Sequence, residues 1–84
     1  MITINSWHRK GYKQPIRLVY DITLNQYYLA GNVQGMEVVA PIDRYNGSKK
    51  WINGTKHLLS REFGLDSAYS KQVISYFLLR DTVK

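Results

Sequence analysis

Nine of the chain's twelve Lys and Arg residues fall in two windows that contain no acid. Residues 1–20 hold Arg9, Lys10, Lys13 and Arg17, and residues 44–61 hold Arg44, Lys49, Lys50, Lys56 and Arg61. Trp7, Tyr12, Tyr45 and Trp51 lie among these cations. Cations neutralise phosphates and release counterions, and aromatic faces stack on unpaired bases, so the interleaving suits a polyanion. A solvated basic surface that only aids solubility has the same composition, and both tryptophans also suit a core.

A second candidate is the run from Leu58 to Val73. Leu59, Phe63, Leu65 and Val73 flank Gly64 at offsets that resemble a helix-turn-helix. Ser70 occupies a position that the motif fills with an apolar residue, and Tyr69 stands beside it. The resemblance covers about 20 residues and implies a second helix whose N-terminal part enters the major groove. On that helix Ala68, Lys71, Gln72 and Ser75 form the exposed set. Lys71 suits a phosphate or a guanine, and Gln72 an adenine. A helical hairpin packed on a sheet accounts for the same residues.

Catalytic signals are poor. His8 and His57 are the only histidines, and both sit among cations. No carboxylates are paired at helical spacing, and Gly31 and Gly35 are isolated rather than part of a phosphate loop. A metal-free nuclease that assembles His and Lys in space is the one catalytic reading left open. The chain is read as a non-enzyme, with no catalytic residue, metal site or cofactor assigned. Cysteine is absent, which excludes disulfides, Cys-based zinc sites and thiol catalysis. Seven tyrosines in 84 residues are consistent with interface anchors or with strand filling. Tyr27 and Tyr28, adjacent on a strand, would face opposite sides.

These residues sit on a chain of 84 residues and 9.8 kDa, with net charge +6 and a pI near 9.7. That size predicts a single domain, 1–84, and the balance of apolar and charged residues is globular. No apolar run approaches the ~20 residues of a membrane span, and the first residues lack a signal-peptide pattern, so a cytoplasmic location is expected. Asn46-Gly47-Ser48 and Asn53-Gly54-Thr55 match a glycosylation acceptor but read as Asn-Gly turns. The richness in Ile, Asn, Lys and Tyr looks like a low-GC source, such as a phage or a Gram-positive bacterium.

The elements follow from periodicity. Residues 1–5 suit a short strand, and residues 7–15 a basic loop. Ile16, Leu18, Tyr20, Ile22 and Leu24 alternate with other residues over nine positions, which predicts a strand with one buried face. Asn25-Gln26 suits a turn, Tyr27–Val33 a second strand with a bulge at Gly31, and Gln34-Gly35 a second turn. Met36–Ala40 forms a third strand closed by Pro41. Residues 43–54 read as a loop in which Lys49-Lys50-Trp51-Ile52 could form a short strand. Thr55 is expected to cap a helix that Gly64 ends, and Asp66 to cap a second helix running to about Arg80. Residues 73–79 also suit a strand by propensity.

The expected fold is α+β: a three-stranded antiparallel meander, with a short extra N-terminal strand as an option, followed by two C-terminal helices packed on one face. The expected function is a small basic, non-catalytic nucleic-acid-binding protein, with duplex DNA as partner and a regulatory or accessory role. Arg9, Lys10, Lys13, Arg44, Lys49, Lys50, Lys56 and Arg61 would meet phosphates, and Lys71 and Gln72 bases. A homodimer would be natural for a helix-turn-helix protein. The alternative is a small phage-type inhibitor or adaptor that binds an acidic surface or a nucleic-acid groove of a host protein.

Overall fold

The computed structural model describes residues 1–11 and 15–82, the side chains of 80–82 excepted. In chain order they form β1 (Ile2–Trp7), β2 (Ile16–Asp21), β3 (Gln26–Val33), β4 (Met36–Ile42), α1 (Lys49–Phe63) and α2 (Ser67–Thr82). Two compact units divide the chain, Met1–Asp43 with the strands and Arg44–Lys84 with the helices.

The class is α+β, and the sheet has four antiparallel strands rather than three, in the order β1-β2-β3-β4. The N-terminal strand continues past residue 5 because Trp7 pairs with Ile16 and is buried with it. Residue 7 therefore belongs to a strand and not to the expected basic loop. A register shift between Thr3 and Asn5 leaves Ile4 without a partner on β2.

Burial in β2 alternates only from Ile16 to Leu18: Val19, on the opposite side, is buried as well, so the strand does not have a single buried face, and it ends at Asp21. The Asp21 carboxylate accepts the amides of Thr23 (2.9 Å) and Leu24 (3.2 Å), an Asx-type turn that ends the strand. Ile22 and Leu24, expected on the buried face, are 65% and 66% exposed. The register Leu18↔Leu29↔Ala40 aligns buried residues of three strands, and Ile16 and Ile42 extend that side. Tyr20 and Tyr27, cross-strand partners, meet with ring centroids 4.7 Å apart, and the Tyr20 hydroxyl donates to Asn25. Across the other side Arg17 pairs with Glu37, so one cation of the first window is matched by an acid from β4.

Gly31 is not a bulge: it pairs with Val38 in continuous register. The Gln34-Gly35 turn is present, with positive φ at both residues (51° and 84°), as a two-residue hairpin of matching twist requires. Pro41 does not close β4 but lies within it. An edge strand tolerates a residue without an amide N–H.

In the helical unit α1 begins at Lys49, ahead of the expected cap at Thr55. The Ser48 hydroxyl accepts the Trp51 amide at 3.1 Å, which caps the helix there. Asn53-Gly54 is consequently helix, not turn, and 49–52 is neither loop nor strand. Asn46-Gly47 does turn the chain, with Gly47 at φ 82° and Asn46 Oδ1 accepting the Ser48 amide at 3.0 Å. Trp51, Thr55, Leu59 and Phe63, spaced by four, form the buried side of α1.

Gly64 ends α1 in the left-handed conformation (φ 66°), which brings the amides of Gly64 and Leu65 onto the carbonyls of Ser60 and Leu59, both at 3.2 Å. Asp66 then caps α2 by accepting the Tyr69 amide at 2.7 Å. Residues 73–79 are helical, not a strand. Tyr69, Val73 and Ile74 are buried, and Tyr76, Phe77 and Leu78 half-buried. The Trp51 ring meets Phe77 of α2 at 5.1 Å and Tyr45 at 5.0 Å, both edge-on. These aromatic contacts tie the two helices and the segment before them together.

Candidate nucleic-acid interface

The buried row of α1 determines where its cations go. With Trp51, Thr55, Leu59 and Phe63 turned inward, Lys49, Lys50, Lys56 and Arg61 are all exposed. Lys49, Lys56 and Ser60 recur at i, i+7 and i+11, and Lys50, His57 and Arg61 repeat that spacing one residue later. Such positions stack on a helix of 3.6 residues per turn, so these six form two adjacent rows. All six are exposed, and Arg61 Nη1 lies 3.4 Å from His57 Nε2 within its row. Glu62, the one acid in α1, falls outside both rows.

The placement of Lys49 and Lys50 carries an energetic signature. They are the first two residues of α1, whose first turn holds no acid. Unsatisfied amides make that end positive, and cations there oppose the helix dipole by roughly a few tenths of a kcal/mol each. Cations at the positive end of a helix add to a field that attracts anions.

On α2, Lys71 and Gln72 are exposed one turn past the Asp66 cap, beside exposed Ser67 and Ala68. Ser75 departs from the expected exposed set: it is half-buried, and its hydroxyl donates to the Lys71 carbonyl at 2.7 Å. Around the helix-turn-helix-like corner, Leu59, Phe63, Leu65 and Val73 are buried as that resemblance requires. Tyr69 is fully buried, and Ser70, the departure from the pattern, is buried too.

The structure therefore brings Lys49, Lys50, Lys56 and Arg61 together on one helix face and places Lys71 and Gln72 on the exposed side of the next helix. Arg44 is exposed in the segment before α1. Half-buried Arg9 and exposed Lys10 belong to the sheet unit, and Lys13 lies outside the described residues. His57 and Ser60 join the basic face and were missed in the sequence. The spacing of seven from Lys50 to His57 and of eleven from Lys49 to Ser60 is the signal that finds them once α1 starts at Lys49.

Among the described residues no helix is long and apolar enough to cross a membrane. No protein family, curated protein or solved structure matches this chain.

Proposed function

We propose that this protein is a small non-catalytic nucleic-acid-binding protein that holds duplex DNA in a regulatory or accessory role. The observation that carries the reading is the two-row face of α1, where four exposed cations align without an acid between them. Lys49, Lys50, Lys56 and Arg61 make phosphate contacts there, joined by Arg44 and by Arg9, Lys10 and Lys13. Lys71 and Gln72 supply base contacts from α2. The cations in the first turn of α1 support this assignment, because they weaken the helix and strengthen its pull on phosphate.

Salt dependence tests it. Four phosphate contacts from α1 alone predict a slope of about −3.6 in log K against log salt, and changing Lys49 and Lys50 to Ala removes about 1.8 of that. Absence of duplex binding at about 50 mM salt overturns the proposal, as does a slope unaltered by the double substitution.

A second reading, an inhibitor or adaptor docked on an acidic surface or nucleic-acid groove of a host protein, draws on exposed Ile22 and Leu24 at the β2–β3 turn. A stoichiometric protein partner retained from nuclease-treated lysate, together with no DNA binding, would replace the first reading with this one.

A further inference from the structure

We infer that His57 and Arg61 form a proton-coupled phosphate clamp: the pair holds one phosphate of a bound duplex, and His57 takes up a proton as it does so. This rests on the nucleic-acid reading of the α1 face and adds a pH dependence to it. Arg61 Nη1 lies 3.4 Å from His57 Nε2, about one turn away on α1. A guanidinium has only donors, so Nε2 accepts in this contact and the ring carries its proton on Nδ1. The pair as it stands therefore fits a neutral imidazole. A protonated ring would set a second N–H against the guanidinium, cation against cation. A phosphate that accepts from both nitrogens replaces that repulsion with two charge-assisted hydrogen bonds.

The surroundings of the pair suit an anion. His57 lies about 180° round the helix from the middle of the buried row Trp51, Thr55, Leu59 and Phe63. The segment before α1 and α2 meet that row at Trp51, through Tyr45 and Phe77. Their titratable residues Arg44, Tyr45, Asp66, Tyr69, Lys71 and Tyr76 are thus carried by elements on the buried side. The charged groups that α1 itself sets on its outward side are Lys49, Lys50, Lys56 and Arg61, and its one acid, Glu62, stands about 140° round from His57. Exposed Gly54, three residues before His57, has open space around an added Cβ, which leaves that side of the preceding turn open to a ligand. A phosphate held there is an anion beside the ring, and an adjacent anion favours the charged form of an imidazole. Imidazole is the side chain whose charge ordinarily changes between about pH 5 and 8. Binding and protonation therefore assist each other by the same factor. Affinity rises as pH falls through that range, while the Lys and Arg contacts keep their charge throughout.

Titration of a short DNA duplex at about 50 mM salt, at about pH 8 and about pH 5.5, tests the clamp. Affinity should rise roughly tenfold at the lower pH. His57→Gln should abolish that gain, and so should His57→Lys, which carries its charge at both pH values. His8→Gln, at the chain's other histidine, should leave the gain intact. At the lower pH the costs of His57→Gln and Arg61→Gln should not add, because one phosphate serves both residues. A gain that survives His57→Gln, or costs that add, overturns the clamp and leaves duplex binding standing. If the duplex binds at neither pH, tripolyphosphate is the second probe, with the His57 ring followed by NMR at about pH 7. Movement of the ring toward its protonated signal would keep the clamp and remove duplex DNA as its ligand. No movement, with no duplex binding, removes both.

Discussion

The Ser48 hydroxyl accepts the Trp51 amide at 3.1 Å, and the ring of that same Trp51 lies 5.1 Å from the ring of Phe77 on α2. One residue thus links the start of α1 to the contact between the helices. Because Ser48 is the cap, Lys49 and Lys50 occupy the first turn. Because Trp51 is held inward, the rows of Lys49 and Lys50 point outward.

Charge reversal at the start of α1 separates function from folding. Lys49→Glu with Lys50→Glu replaces two cations at the positive helix end by two anions, which should stabilise the protein by about 0.5–1.5 kcal/mol in chemical denaturation. The same double change should weaken duplex binding at least about tenfold in a titration at low salt. Opposite signs are the expected outcome; unchanged affinity removes the α1 face from the interface.

Two helix glycines should respond oppositely to the same substitution. Gly54 lies within α1, exposed, with open space around an added Cβ, so Gly54→Ala should raise stability by about 0.5–1 kcal/mol. Gly64 also has open space but sits at φ 66°, so Gly64→Ala should lower stability by about 1 kcal/mol through backbone strain. Gly64→Asn should lose less than Ala, because Asn tolerates that conformation. Thermal melts of the three variants decide; an equal loss at 54 and 64 would contradict the helix boundary.

The β3–β4 turn can be improved. Gln34 holds φ 51° next to Gly35 at 84°, and Asn32 Oδ1 accepts the Gly35 amide at 2.9 Å. Gln34→Asn installs the Asn-Gly pair that this turn favours and should add roughly 0.5 kcal/mol in urea unfolding. A loss instead would mean that the Gln34 side chain makes a contact worth more than the turn preference.

Punctuation was readable along the chain. Gln34-Gly35, Asn46-Gly47, the Gly64 stop and the Asp66 cap all act through a residue's own φ or through a side chain bonded to an amide three or fewer residues away. For that reason β3, β4 and α2 stand close to their expected bounds, and the corner at Gly64 was legible. The shared face of Lys49, Lys50, Lys56 and Arg61 was not, because Thr55 is as good a cap by type as Ser48. Its burial between Trp51 and Leu59 in the inward row is what places it inside the helix.

Sequence alone determined the residue types at the caps and turns, the existence of a strand from Ile16 and the two acid-free windows. Tertiary structure decided that residues 73–79 are helix, that β1 runs on to Trp7 and that Lys49, Lys50, Lys56 and Arg61 of the second window share one helix face. A run of β-branched and aromatic residues is compatible with either helix or strand. The choice depends on burial against residues far along the chain: Trp7 lies against Ile16, and Trp51 against Phe77, which stands 26 positions later.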